Sequence, residues 1–120
     1  MPSQPEAVAV AKALIALQAS RQAPALPRLF ADPAWDMLLD LFVARAEGRP
    51  VAVSSLCIAS GVPASTAHRW IQALVDQDAV RRRADPVDRR RVFVEITEPA
   101  FSALANELLR HHSRMLRIGI

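Results

Sequence analysis

The sequence predicts a mainly α-helical protein with one small β-hairpin. Three observations lead to this fold class. Apolar residues recur at helical spacing in five segments, and glycine or proline separates most of these segments from one another. One pair of short β-rich segments lies between the fourth and the fifth helical segment, and a turn that contains aspartate and proline joins the pair. Hydrophobic residues make up 52% of the 120 residues, which is enough for one folded domain and argues against disorder.

The first predicted helix covers residues 6–20, and apolar residues occupy more than one of its faces. A lone surface helix would show a single apolar stripe, so we expect this helix to be buried on more than one side. The segment 21–31 contains Pro24 and Pro27, which predict a break in helical structure.

The second predicted helix begins near Asp32-Pro33, a capping residue followed by a favourable first-turn residue. Its expected buried positions are Trp35, Leu38, Leu39, Phe42 and Val43, with a second apolar strip at Met37 and Leu41. We expect Asp36 and Asp40 to form a narrow edge that faces solvent. Gly48 ends the helix.

A helix-turn-helix pattern follows. A short helix is expected over residues 54–60, with Ser54 as its cap, and Gly61 ends it because glycine tolerates a left-handed backbone. Pro63 then opens a helix that runs to about residue 77. Its expected inner face consists of Ala67, Trp70, Ile71 and Leu74. A short helix, a glycine turn and a second helix with a small polar N-terminus are typical of this motif.

An arginine-rich hairpin comes directly after this motif. Residues 80–84 and 92–96 are predicted strands, and residues 85–90 form the turn between them. Six of the 14 arginines lie within residues 81–91, in a chain whose formal net charge is +3. Strand geometry places Arg81 and Arg83 on one side and Arg82 on the other. A hairpin at this place is a wing, so the predicted architecture is a winged helix-turn-helix.

The last predicted helix begins after Thr97, which serves as its cap, and Pro99 lies in its first turn. Its apolar positions keep helical spacing for about five turns, from Phe101 to Leu116. A helix this long and apolar needs another surface to cover it.

The run from about Trp35 to Thr97 resembles the winged-helix domain of MarR-type bacterial transcription regulators. The similarity covers about half of the chain. It is carried by Leu56–Gly61-Val62, Ser65-Thr66-Ala67, Ile71-x-x-Leu74 and, most specifically, by the wing segment DPVDRRRVFVEIT at residues 85–97. The resemblance implies a homodimer held by the N- and C-terminal helices, with the second helix of the motif in the major groove. It also implies a wing element Asp88-Arg89-Arg90, in which Asp88 is the anchor and Arg90 approaches the minor groove.

This plan divides the chain into three parts. Residues 1–31 form an N-terminal dimerisation helix and linker, residues 32–97 the winged helix-turn-helix DNA-binding domain, and residues 98–120 a C-terminal dimerisation helix.

Several side chains of the helix over residues 63–77 are suited to double-stranded DNA. The free amides of a helix N-terminus bind phosphate, and Ser65 and Thr66 donate to phosphate or to a base edge. Arg69 suits guanine, and His68 and Gln72 suit neighbouring bases. In the wing, Arg89 and Arg90 are expected at the groove, whereas Arg81, Arg82, Arg83 and Arg91 are expected to track phosphates or brace the hairpin. The predicted DNA-binding set is Ser65, Thr66, His68, Arg69, Gln72, Arg82, Arg89, Arg90 and Arg91, and the alternative is a solvated helix end and charged loop.

Other candidate sites give weaker signals. Cys57, the single cysteine, excludes an internal disulfide and is expected to be a small buried residue and not a redox sensor. The adjacent His111 and His112 lack the i, i+4 spacing of helical metal ligands, so no zinc site is expected. Trp35 and Trp70 are expected in the core.

No catalytic constellation or phosphate-binding glycine loop is evident, so we expect neither an enzyme nor a cofactor. The sequence contains no recognisable signal peptide or membrane-spanning segment, so we expect the protein to be soluble and cytoplasmic.

Three hypotheses follow from these patterns. The leading one is a homodimeric transcription regulator that binds an inverted repeat. The alternative is a winged-helix module that binds a protein partner instead of DNA. The third is a regulator controlled by a small aromatic acid, whose carboxylate would meet Arg28 or Arg45.

Overall fold

The computed structural model describes the backbone of residues 4–21 and 33–117 and the side chains of residues 5–15 and 33–110. Within these residues the chain forms five helices and one two-stranded antiparallel hairpin. In chain order the elements are α1 (Gln4–Arg21), α2 (Pro33–Ala46), α3 (Val53–Ser60), α4 (Ala64–Asp76), β1 (Val80–Ala84), β2 (Val92–Ile96) and α5 (Glu98–Arg117). The predicted fold class is confirmed, and each predicted element is present close to its expected bounds.

Helix α2 lies at the centre of the core, which explains why its sequence is apolar on more than one side. It packs against α1, α3, α4 and β2. Its buried residues are Met37, Leu39, Leu41, Phe42, Val43 and Ala44, so the predicted second apolar strip belongs to the core. The rings of Phe42 and Phe101 stack with their centroids 4.5 Å apart, and this contact joins α2 to α5.

Helix α1 packs against both α2 and α5, as its broad apolar surface predicts. Ala7, Val10 and Ala11 are buried at these contacts. Residues 22–31 of the predicted break and the Asp32 cap lie outside the described residues, as do the side chains of His111 and His112.

The turn between α3 and α4 has the geometry that its glycine predicts. Gly61 ends α3 with φ of 70°, in the left-handed region, and its N–H donates to the carbonyl of Ile58 at 3.2 Å. The expected cap at Ser54 is wrong. Helix α3 begins one residue earlier, Ala52 occupies the capping position without a side-chain bond, and Ser54 lies in the first turn. The extended backbone of Ala52 pairs with Phe93 instead, so the contact with the hairpin determines where the helix begins.

The hairpin is attached to the helical core along one face. Strands β1 and β2 pair antiparallel, with Val80 opposite Ile96. Val80, Val94 and Ile96 are buried, whereas the arginines of β1 are exposed. The N–H of Val94 also donates to the carbonyl of Val51 at 2.9 Å, which ties β2 to the segment before α3.

Thr97 connects the hairpin to α5. Its hydroxyl accepts the N–H of Ala100 at 3.4 Å and donates to the carbonyl of Asp78 at 2.7 Å. The predicted cap is therefore confirmed, and the same hydroxyl holds the start of α5 against the connection between α4 and β1.

Trp70 and the predicted solvent-facing edge of Asp36 and Asp40 differ from their expected environments. Trp70 keeps 38% of its surface exposed and is not a core residue, because it is turned about 100° away from Ile71 on α4. Trp35 is partly buried against the core. Asp40 is half-buried where a solvent-facing edge was expected, because α2 is surrounded by other elements on several sides.

Candidate nucleic-acid interface

One face of α4 is polar and free of packing contacts with the core. Ala67, Ile71 and Leu74 bury the opposite face. The predicted DNA-binding residues of this helix that are exposed are Ser65, His68, Arg69 and Gln72, and Thr66 is partly buried. At about 100° per residue, Ser65, Arg69 and Gln72 share the outermost stripe, whereas Thr66 lies on the flank that also carries Trp70.

The three arginines of β1 occupy the two sides that strand alternation predicts. Arg81 and Arg83 both lie against Glu95 on the outer face, with Nε–Oε distances of 2.6 and 3.6 Å. Arg82 points the other way, and its Nη1 donates to Oε1 of Gln72 on α4 at 2.9 Å. Arg82 therefore lies between the wing and the polar face of α4, and Arg81 and Arg83 do not.

Two aspartates shape the wing turn in different ways. Oδ1 of Asp88 accepts the backbone N–H of Arg90 at 3.0 Å and lies 3.4 Å from Nε of the same residue. This contact orients Arg90, whose side chain remains 94% exposed. Asp85 is buried, and its Oδ1 accepts the N–H of Val87 at 2.8 Å. This backbone hydrogen bond is the main reason why the pKa of Asp85 lies below its ordinary value.

Phe93 supports two of the arginines from the outer face of the hairpin. The guanidinium carbon of Arg83 lies 5.0 Å from the centroid of the ring, and that of Arg91 lies 5.8 Å from it. Both distances lie within the range of a cation–π interaction, in which the arginines keep their charge.

Helices α3 and α4 and the wing enclose a cleft of about 540 Å³. Its polar side chains are Ser54, His68, Arg82, Arg90 and Arg91, and its apolar ones include Val53, Ile58 and Val92. Four of the predicted DNA-binding residues thus line one concave, cationic surface. Ser65, Thr66, Arg69 and Arg89 lie outside this cleft, and Gln72 is joined to its edge through Arg82.

Cys57 lies at the inner side of this cleft. Its Sγ is 3.9 Å from Nε2 of His68, and only 7% of the residue is exposed. Burial raises the pKa of the thiol, so the group stays protonated at neutral pH and is a poor nucleophile. The residue is buried, as the sequence predicted.

Gln72 is the centre of a hydrogen-bond network that its sequence pattern did not predict. While Oε1 of Gln72 accepts from Arg82, its Nε2 donates to Oδ1 of Asp76 at 2.9 Å. The i, i+4 spacing of Gln72 and Asp76 on a helix could have indicated the hydrogen bond between their side chains. The contact with Arg82 depends on how the hairpin folds back against α4, and no local spacing indicates it.

Arg45, a predicted contact for a ligand carboxylate, is already engaged by protein groups. Its Nη1 donates to the carbonyl of Ile96 at 3.1 Å, its Nη2 pairs with Glu98, and its guanidinium lies over the ring of Phe101. Arg28 lies outside the described residues.

The described residues exclude two further kinds of site. No group of three or more His, Cys, Asp or Glu side chains among them could hold a metal ion. None of the helices in the described ranges is both long and apolar enough to cross a membrane.

Comparison with protein-family models gives one match. Residues 37–84 match the model of the IclR helix-turn-helix domain, and the match runs from within α2 to the end of β1. Curated protein sequences show no significant match to the chain.

Solved structures of transcription regulators are similar in fold. AbsC, a MarR family transcriptional regulator from Streptomyces coelicolor, has 25% identity and a TM-score of 0.56 over 70% of this chain and 55% of its own. The transcriptional regulator BldR from Sulfolobus solfataricus has 29% identity and a TM-score of 0.52 over 70% and 61%. MepR of S. aureus in its DNA-binding conformation has 13% identity and a TM-score of 0.59 over 77% and 67%.

The chain spans less than two thirds of AbsC and of BldR. The predicted resemblance is confirmed, since AbsC, with 25% identity to this chain, is a MarR family transcriptional regulator. By its fold and by these similarities, the chain is a winged helix-turn-helix protein that resembles MarR-family transcription regulators.

Proposed function

We propose that this protein is a sequence-specific transcription regulator that binds double-stranded DNA as a homodimer. The observation that best supports this function is the cationic cleft between α3, α4 and the wing. It brings His68 of α4 together with Arg82, Arg90 and Arg91 of the hairpin. A concave surface with this charge is complementary to a phosphate backbone.

In the proposed complex, α4 enters the major groove. Its exposed stripe offers Ser65, Arg69 and Gln72 to the base edges, and Thr66 and the helix N-terminus lie near a phosphate. Arg69 is the candidate for a bidentate contact with guanine, which contributes about 1–3 kcal/mol of discrimination.

The wing carries the second part of the proposed interface. Arg90 is the candidate for the minor groove, since it is the most exposed of the wing arginines that form an ion pair, and Asp88 orients it. A narrow, A·T-rich minor groove attracts a side chain of this kind. Arg89 and Arg91 are the candidates for flanking phosphates.

Selection of bound sequences from a random DNA library tests the proposal directly. The wild type should enrich a defined sequence, and Arg69→Ala should relax the base preference at one position by about 5-fold or more. Arg90→Ala should weaken binding to every sequence, whereas Arg81→Ala is the matched control, because Arg81 pairs with Glu95 on the outer face. A wild type that enriches no sequence at low salt would contradict the proposal.

Control by a small aromatic acid is a separate proposal with narrower support. A carboxylate at Arg45 would have to displace Glu98 or the carbonyl of Ile96, which now occupy its guanidinium. A panel of aromatic acids in thermal-shift assays tests it. A ligand that stabilises the wild type and not Arg45→Met would support this position for the ligand.

The alternative function, docking of a protein partner, is supported by one observation. Ile58 is 81% exposed and lines the cleft together with Val92, which is 38% exposed. One protein recovered in stoichiometric amount by the wild type and not by Ile58→Asp, together with no DNA binding at low salt, would favour this function.

A further inference from the structure

The side chain of Gln72 is held between two charged groups of opposite sign. Nη1 of Arg82 donates to its Oε1 at 2.9 Å, and its Nε2 donates to Oδ1 of Asp76 at 2.9 Å. Arg82 lies on the hairpin, and Asp76 lies one turn further along α4.

These partners leave the carboxamide a single orientation. A guanidinium only donates hydrogen bonds, and an ionised carboxylate only accepts them. If the amide turned over, its NH₂ group would face Arg82 and its oxygen would face Asp76, and both hydrogen bonds would be lost. The acceptor of Gln72 is thus fixed on the wing side, and its donor is fixed on the side of the helix C-terminus.

We propose that Arg82 is a positioning residue for base recognition, which with Asp76 fixes the donor and acceptor of Gln72 in one order along the major groove. This inference rests on the proposed function. An amide recognises adenine by accepting from N6 and donating to N7, so the order of its two groups determines which base edge it matches. A fixed order favours one orientation of an A·T pair over the reverse, whereas a freely turning amide fits several edges.

The proposal separates Arg82 from the arginines that contact phosphate. Removing a phosphate contact lowers affinity for all sequences and reduces the slope of log K against log salt by about 0.9. Removing a positioning residue should leave that slope nearly unchanged and alter the base preference at one position. A phosphate contact therefore changes affinity and its salt dependence, whereas a positioning residue changes the base preference at one position.

The test uses the full chain and four variants, with binding sites selected from random DNA and salt titrations on the selected site. Arg82→Met should reduce the preference at the Gln72 position from about 5-fold or more to within about 2-fold, with the salt slope unchanged. Arg81→Met is the matched control, because it removes the same charge from the neighbouring residue on the opposite face. It should leave the preference intact. All the exchanged residues are exposed, so melting temperatures should confirm that the variants fold.

A double-mutant cycle completes the test. Gln72→Met should abolish the preference, and adding Arg82→Met to it should cause no further change in base preference, since Arg82 acts through Gln72. A preserved preference in Arg82→Met with a salt slope lower by about 0.9 would overturn the inference and make Arg82 a phosphate contact. An equal loss of preference in Arg81→Met would also overturn it. A wild type that selects no DNA sequence would instead refute the proposed function.

Discussion

Asp40 shows how a residue's environment can differ from its sequence pattern. It lies on α2 at a position where polar residues interrupt the apolar strips, yet the fold half-buries it. Burial is the main cause that raises the pKa of its carboxyl group, and the nearby charge of Asp36 raises it further. Ionised Asp40 is therefore less favourable in the folded protein than in the unfolded chain.

Replacing Asp40 by asparagine should stabilise the protein at neutral pH. Because the folded-state pKa is raised, the wild type loses stability as pH rises from about 3.8 through that folded pKa, and the loss persists at pH 7. Asparagine has nearly the same shape and no charge. The melting temperature should rise by a few degrees at pH 7, since 1 kcal/mol corresponds to about 4–8 °C in a domain of up to about 100 residues.

The same comparison at pH 3 is the internal control for Asp40→Asn. Both states of the wild type are then largely protonated, so the two melting temperatures should approach each other. A variant that is less stable than the wild type at pH 7 would show that Asp40 makes a favourable charged interaction that outweighs its burial.

At the scale of elements, the start of α5 depends on one hydroxyl group. Thr97 accepts from Ala100 and donates to the carbonyl of Asp78, so it both caps the helix and holds it against the turn before β1. Thr97→Ala should reduce the free energy of unfolding by about 1 kcal/mol, within the range of about 0.5–2 kcal/mol for lost caps. Urea denaturation measures this change. Thr97→Ser retains the hydroxyl and should cost clearly less; equal losses would mean that the methyl group is what matters.

The wing turn depends in the same way on Asp85. Its carboxylate accepts the N–H of Val87, and the N–H of Asp85 itself donates to the carbonyl of Arg91 across the turn. Asp85→Ala should loosen the turn and weaken DNA binding several-fold while the helical core melts almost unchanged. Asp85→Asn keeps an acceptor for Val87 and should retain most of the affinity.

The pH dependence of the wing has a definite sign. The fold lowers the pKa of Asp85, so the stabilisation that its carboxylate gives to the wing turn is fully present above the ordinary pKa of 3.8. It is lost only as pH falls through the lower folded-state value. Wing resonances followed by NMR from pH 7 to pH 2 should thus stay constant down to about pH 4. Loosening of the wing near pH 6 would exclude Asp85 as its cause.

At the scale of the whole molecule, the proposed homodimer predicts both a mass and a binding site. Two α4 helices related by a two-fold axis would contact half-sites about 34–36 Å apart, one turn of duplex DNA. Light scattering should therefore give about twice the chain mass of 13.2 kDa. The selected DNA should be an inverted repeat with centres about 10 base pairs apart. A chain that stays monomeric at micromolar concentration and protects a single half-site would contradict this assembly.

Much of the fold could be predicted because its signals are local. Helical periodicity located the five helices, and glycine at position 61 indicated the left-handed turn. The alternation of Val92, Val94 and Ile96 indicated the buried face of β2 correctly for Val94 and Ile96, whereas Val92 keeps 38% of its surface exposed. Trp70 and Ser54 were predicted wrongly for related reasons. Whether an aromatic residue at the border of a helix's apolar face is buried depends on which other elements pack beside it. Where a helix begins can likewise depend on contacts with strands that are distant in the sequence.

By itself, the sequence determined the order of elements, the sides of the wing arginines and the resemblance to MarR-type regulators. Each of these follows from periodicity, turn chemistry or motif spacing within a short stretch of chain. Only the tertiary structure decided that Arg82 meets Gln72, that Asp40 is half-buried and that His68 lines a cleft with Arg90. These contacts join residues of separate elements, and their positions depend on how the hairpin and the helices pack around α2.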